Sequence, residues 1–175
     1  MKKSIWRDSL FVVLLVALDQ ITKYLAVRYL KGNEGISILP GIFRLQLLEG
    51  GNSGAAFGIL QGKFWFFFVS TLLILGGILF LLIRMPKSRR LKPLYFTLLL
   101  LSSGAIGNFI DRVFTYFTEG YNYVIDFLYF EWIDFPIFNV ADCYVTVSAG
   151  LLLLLFLFYY KEEDLEWFMK KEEKS

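Results

Sequence analysis

Four long apolar runs, separated by segments where charge, glycine and proline gather, set the pattern of this chain. They extend approximately from Leu10 to Tyr29, Phe64 to Ile83, Leu94 to Ile110 and Val140 to Tyr160. Each can cross a hydrocarbon core of about 30 Å, which takes roughly 20 helical residues. The pattern therefore predicts an all-α membrane protein with four transmembrane helices. Two of the links carry a different periodicity. Within Ile36 to Leu48, a Pro40-Gly41 turn precedes alternating positions 43 to 47, which predicts a strand with one apolar face. Tyr121 to Phe138 is rich in aromatic and β-branched residues, with Asp126, Glu131 and Asp134 among them, and is also strand-like. Together these links predict a small extracytoplasmic β platform, with Tyr121, Tyr123, Tyr129 and Trp132 at the depth of an aromatic belt. No internal repeat is evident, and the length suits one domain, residues 1–175.

The first run follows Lys2 and Lys3, as in a signal peptide, but it is long, carries Asp19 and Lys23, and lacks a small-residue cleavage site. It is read as a retained helix. Arg84, Lys87, Arg89, Arg90 and Lys92 crowd the link between the second and third runs, which assigns that link and both termini to the cytoplasm. The tail after Lys161 mixes Lys with Glu and Asp and is read as either a short amphipathic helix or a disordered segment.

Composition narrows the chemistry. The chain is 57% hydrophobic with a net charge of +2, and its Lys and Arg form no basic stripe, so no nucleic-acid partner is expected. Histidine is absent, which excludes His-based zinc hydrolysis, the Ser-His-Asp triad and His-ligated haem. The lone Cys143 can form no internal disulfide and has no metal-ligand spacing; it is read as a small buried thiol. Neither metal nor cofactor is expected.

Carboxylates and asparagines nonetheless occur where the outer ends of the spans should lie. Ionisable groups at membrane depth are expensive and read by default as a working site. Asp19 and Lys23, four apart on one helix, suit an ion pair that pins helix packing. Asn108, Asp111 and Arg112 end the third run, where Asp111 is placed to neutralise or orient Arg112. Asn52 and Gly54 lie on a glycine-rich outer loop, either as a simple turn or as a place to hold a substrate strand.

Asp126 and Asp142 are the most informative pair. Asp142 opens the fourth run, and Asp126 is flanked by Val124, Ile125, Phe127 and Leu128, surroundings that disfavour its ionised form. Brought together, two such groups would share a proton, one serving as acid while the other activates water. Asp111 is the competing partner, with Arg112 beside it to hold it ionised.

Five runs resemble the bacterial lipoprotein signal peptidases, or signal peptidase II, in the family's order. They are Asp19-Gln20-Ile21-Thr22-Lys23, Asn52-Ser53-Gly54-Ala55-Ala56-Phe57-Gly58, Gly104-Ala105-Ile106-Gly107-Asn108-Phe109-Ile110-Asp111-Arg112, Val124-Ile125-Asp126-Phe127 and Phe138-Asn139-Val140-Ala141-Asp142. The resemblance implies a four-helix membrane aspartic peptidase that removes signal peptides from prolipoproteins, cutting before a diacylglyceryl-modified cysteine. It implies Asp126 and Asp142 as catalytic residues. Asp19, Lys23, Asn52, Gly54, Asn108, Arg112 and Asn139 would shape the site and hold substrate; Asp111, from its place beside Arg112, is read as structural. Lipidated prolipoproteins and membrane lipids are the implied partners, and a monomer in the bacterial inner membrane, with its site near the outer face, is the implied setting. Two departures stand out: Ser103 replaces a glycine common in the family, and Thr115 to Tyr123 looks longer than the usual connection.

Three other classes compete. A transporter would also bury carboxylates but should show broken helices near the midplane or repeat symmetry. A Ser/Lys peptidase would use Lys23 as base with Ser53 or Ser70 as nucleophile. A structural adaptor would have no chemistry.

Overall fold

The computed structural model describes residues 5–54 and 63–169. Lys2, Lys3, the Ala55 to Gly58 part of the glycine-rich run and the end of the tail lie outside the described residues. Four helices carry the spans: α1 (Ile5–Leu30), α2 (Phe64–Arg84), α3 (Lys92–Glu119) and α4 (Val140–Leu154), the last continuing through a π-helical stretch, Leu155–Tyr159. A short helix, α5 (Glu162–Met169), follows, so the tail adopts the helical alternative.

Large apolar side chains such as Leu73, Ile83 and Leu153 stand exposed on the outside of the bundle, while the largest fully buried side chains among the described residues are Lys23, Asn139, Thr115, Asp19, Asp126, Ser103 and Ser148. This inversion suits lipid, where apolar contact between helices gains nothing over contact with acyl chains and association depends on close packing and polar bonds. Helix α3 packs against α1, α2 and α4 and is the centre of the bundle. Its closest approaches occur at two glycines. A Cβ on Gly104 would lie 2.6 Å from the Ala141 carbonyl oxygen, and one on Gly107 would lie 2.6 Å from Asp19 Oδ2. Ser103 fits in the same seam because its hydroxyl donates to Leu99 O in its own helix at 2.9 Å, leaving no unsatisfied polar atom.

The third helix departs from the expected boundary. It does not end near Ile110 but runs through Asp111 and Arg112 to Glu119, where Gly120 adopts a left-handed conformation, φ 74°. Charges halt an apolar pattern without halting a helix, provided that they find partners. The long-looking connection is correspondingly shorter, since Thr115 to Glu119 is helical.

Strands β1 (Ile36–Leu39), β2 (Phe43–Leu45) and β3 (Leu128–Phe130) form an antiparallel sheet in that order, with Arg44 opposite Ser37 on one side and Tyr129 on the other. The strand character predicted over Tyr121 to Phe138 is thus confined to three residues, followed by a 3-10 turn at Glu131–Ile133. Pairing nevertheless extends beyond the strands. Gln46 N donates to Phe127 O, Leu48 N to Asp126 O, and Asn52 and Val124 exchange both backbone bonds, all at 2.9 Å. Across β3, Leu128 and Phe138 exchange bonds of 2.8 and 3.0 Å. This ladder delivers Asp126, Asn52 and Asn139 to one place. Trp132 and Tyr121 are exposed as a belt requires, whereas Tyr123 covers Gly51 and Tyr129 donates its hydroxyl to Asp134 at 2.6 Å.

At the other end of the bundle, Arg90 Nε binds both oxygens of Asp164 at 3.1 and 3.2 Å, and its guanidinium lies over the Tyr159 ring. Leu165 and Trp167 of α5 pack on a cluster that includes Ile78, Met85, Leu91 and Tyr160.

The seam generates a stability test. Gly107→Ala places a methyl group against Asp19 and Ala141 and is expected to cost about 1–3 kcal/mol through overpacking. Gly76→Ala, where nothing lies within 4 Å of the added carbon, should leave thermal unfolding in detergent unchanged or slightly raised. Equal unfolding temperatures for the two variants would show that the close crossing does not hold the bundle.

Candidate active site

The deepest part of the site is a buried ammonium. Lys23, 1% exposed, directs Nζ to Asp19 Oδ2 at 2.9 Å, Asp111 Oδ2 at 2.8 Å and Asn108 Oδ1 at 3.1 Å. Three donors meet three acceptors, so the group is saturated. The carboxylates are bound in turn from other elements: Ala141 N donates to Asp19 at 2.9 Å and Ile125 N donates to Asp111 at 3.1 Å. Gln20 Nε2 lies 2.9 Å from Asp111 Oδ1, 3.1 Å from Asp19 Oδ2 and 3.2 Å from Gly107 O. One charge cluster thereby joins α1, α3, the start of α4 and the segment leading into Asp126.

Above it the asparagines form a directed chain. An ammonium only donates, so Asn108 must turn its oxygen to Lys23, and its amide nitrogen therefore faces Asp142 Oδ1, at 2.7 Å. Asn139 is the N-cap of α4: its Oδ1 accepts from Asp142 N at 2.9 Å, while Asp142 Oδ2 accepts from Asn139 N at 3.2 Å, a reciprocal capping box. With its oxygen so occupied, Asn139 directs Nδ2 to Asp126 Oδ1 at 2.6 Å and Asn108 Oδ1 at 3.0 Å. Asn52 is oriented the same way. Its oxygen accepts from Gly54 N at 3.0 Å and its nitrogen donates to Asp126 Oδ2 at 2.8 Å. Both oxygens of Asp126 and both of Asp142 are thus held, and Asn139 bridges the two residues.

Asp126 is fully buried, while Asp142 is half-buried. Burial raises the Asp126 pKa to about 6, and the negative charge of Asp142 adds to that shift against the hydrogen bonds from Asn52 and Asn139. Carboxyl groups whose environments push their pKa values apart are suited to divide acid and base roles.

Gly54 has φ +88°, and a Cβ there would collide with the Phe67 ring, so the turn after Asn52 requires glycine. The Arg112 guanidinium lies over the same ring, 4.1 Å from the Phe67 centroid, while Arg112 Nη1 donates to Asn122 Oδ1 at 3.2 Å. The expected neutralisation of Arg112 by Asp111 does not occur. Adjacent helical residues point in different directions, and Asp111 is taken by Lys23, Gln20 and Ile125. Cys143 is half-buried rather than buried.

The geometry gives the Ser/Lys alternative no support: Lys23 Nζ is bound by Asp19, Asp111 and Asn108 and contacts neither Ser53 nor Ser70 among its hydrogen-bond partners, and Ser70 donates to Phe67 O in its own helix at 3.1 Å. Gln20, Asn122 and Thr115 were not expected in the architecture. Thr115 Oγ1 accepts from Tyr123 N at 3.2 Å and lies 3.1 Å from Tyr123 O, tying the end of α3 to the approach to Asp126. A sequence signal existed for the cap, an Asn followed three residues later by Asp before an apolar run. None existed for Asn122.

Comparisons with known proteins extend over most of the chain. The family model described as signal peptidase (SPase) II matches residues 11–158. A lipoprotein signal peptidase of Streptococcus pyogenes serotype M1 is 44% identical over 164 residues, covering 94% of this chain and 98% of that protein. The lipoprotein signal peptidase of Brevibacillus brevis is 43% identical over 145 residues, 83% of this chain and 91% of that one. A solved bacterial membrane enzyme, determined by the in meso method at 2.3 Å resolution, shares the fold with a TM-score of 0.74 and 33% identity, covering 98% of this chain and 96% of its own. A family match through all four spans, together with relatives of nearly equal length, establishes that this chain belongs to the signal peptidase II family and is a multi-pass membrane peptidase.

Proposed function

We propose that Asp126 and Asp142 are the catalytic pair with which this enzyme removes signal peptides from prolipoproteins, cutting before the diacylglyceryl-modified cysteine. The observation that supports this most directly is the bridge through Asn139, whose Nδ2 donates to Asp126 and whose backbone N–H donates to Asp142, two carboxylates of unequal burial. Asp126, with its raised pKa, holds the shared proton; Asp142, the more accessible, takes a proton from water as that water attacks the scissile carbonyl. The proton on Asp126 then passes to the leaving amine. Arg112, with its planar fork beside the pair, and the Asn52–Gly54 turn hold the substrate backbone. Asp19, Lys23 and Asp111 keep α1, α3 and α4 in register below.

The substrate's acyl chains remain in the bilayer, which supplies much of the binding that a four-helix protein has little room to build. A single domain acting as a monomer suffices, since both carboxylates and their donors belong to one chain. The orientation follows from the basic link between α2 and α3, which puts that end and both termini in the cytoplasm and the carboxylate pair toward the outer face.

Asp126→Asn and Asp142→Asn each keep the side-chain size and abolish proton exchange. Each is expected to lower cleavage of a lipidated precursor by at least about a hundredfold, the lower range for a lost acid or base, while the protein still purifies folded. Near wild-type turnover in either variant would remove that residue from the mechanism.

The pH profile offers a second test. Because the Asp126 pKa is raised, its proton is retained up to about pH 6 and lost above it, leaving two charged carboxylates and no acid. The kcat/KM of the free enzyme should therefore decline above a midpoint near 6. A profile flat from acid to alkaline pH would contradict the assignment of the acid.

Orientation can be read from labelling. In a Cys143→Ser background, Ser37→Cys on β1 should react with an impermeant thiol reagent applied outside intact cells, and Ser88→Cys on the basic link should not. The reverse pattern would place the carboxylates on the cytoplasmic side.

A further inference from the structure

The bundle end remote from the carboxylate pair contains a cavity of about 430 Å³ between the start of α1, the link after α2 and the start of α3. Its rim carries Arg7, Lys87, Arg89 and Lys92 against a single acid, Asp8. That acid is already engaged: Tyr95 donates its hydroxyl to Asp8 at 2.7 Å, and Arg7 Nε lies 3.9 Å away. The side chains of Lys87, Arg89 and Lys92 have no ion-pair or hydrogen-bond partner among the described residues. Arg90, another cation of the link, does not line the cavity and is held by Asp164. Helix α3 starts here with no acid in its first turn and no side-chain cap, so its positive end adds to the same field.

The cavity is also partly apolar. Met85 and Leu91 are buried in its wall, and Phe96 passes from the cavity to the lipid-facing surface, 44% exposed, where its ring meets Phe11 edge-on with centroids 6.3 Å apart. A phosphate-bearing group in the rim would thus have an apolar track beside it that leads along α1 and α3 into the bilayer. Free phosphate would use the cations and leave this track empty.

We propose that this cavity is a binding site for the headgroup of an anionic phospholipid, with one acyl chain lying along Phe11 and Phe96. The occupant joins three elements, α1, the basic link and α3, at the end of the bundle that the buried Lys23 cluster does not reach. It is separate from the substrate site and independent of the catalytic assignment.

The test is native mass spectrometry and thermal unfolding of the full-length protein in detergent, titrated with phosphatidylglycerol, phosphatidylcholine or soluble glycerol phosphate. Phosphatidylglycerol should be retained and should raise the unfolding temperature, with weaker effects from the other two. Replacing Lys87, Arg89 and Lys92 together by Gln should weaken phosphatidylglycerol binding by at least about tenfold while cleavage of lipidated precursor in detergent is unchanged. A charge-matched control, Arg28→Gln with Lys31→Gln and Lys63→Gln, should retain the lipid as the wild type does. Equal retention of phosphatidylcholine, equal binding of glycerol phosphate, or an equal loss in the control would overturn the proposal. If the triple variant does not fold, Arg89→Gln alone should show a smaller loss in the same direction, and unchanged binding there would overturn it too.

Discussion

The architecture depends on one buried ammonium. Lys23 sits among Asp19, Asp111 and Asn108 with every proton used, in a medium that offers no water to a charge left over. Removing one member of such a cluster leaves an uncompensated charge, which costs several kcal/mol, whereas the intact cluster gains little over a well-packed apolar core. Its value is therefore in specificity. Only one arrangement of α1, α3 and α4 brings Asp19 to the Ala141 amide and Asp111 to the Ile125 amide, and that arrangement also requires the close approach at Gly107.

The orientation of the groups proposed as catalytic follows from the same cation. Because Lys23 can only donate, Asn108 has one allowed amide orientation, which presents a donor to Asp142. The helix cap fixes Asn139 in a similar manner and presents a donor to Asp126. Directionality thus passes from the buried ammonium through two asparagines to the carboxylates of Asp126 and Asp142. A hydrogen-bonded network of this kind is useful at membrane depth, since a half-satisfied one would be worse than none.

The small sheet complements the bundle. Helices alone can supply Asp142, Asn108 and Arg112, but Asp126 and Asn52 come from extended segments whose mutual pairing is made by backbone bonds. Those bonds bury Asp126 beneath the ladder, and that burial raises its pKa. The difference in environment between the two carboxylates is therefore a consequence of joining a sheet to the top of a helix bundle.

The primary structure by itself determined the membrane class, because four runs of about 20 apolar residues have few other stable outcomes. It also determined which side chains were candidates, since Asp19, Lys23, Asp126 and Asp142 are costly where they stand, and it marked the first span and the basic link. The extent of α3 was not legible: Asp111 and Arg112 look like a helix end until Lys23, Gln20 and Asn122 supply their partners from elsewhere. The separation of Asp111 from Arg112 was hidden for the same reason, as neighbours in sequence diverge around a helix and are claimed by different elements. Only the tertiary structure decided that Asn139 joins the two carboxylates, because that contact depends on the Leu128–Phe138 bridge and the α4 cap together. Hydrophobic patterning is local and can be read from one chain segment at a time, whereas the partner of a buried polar group is set by which segments meet.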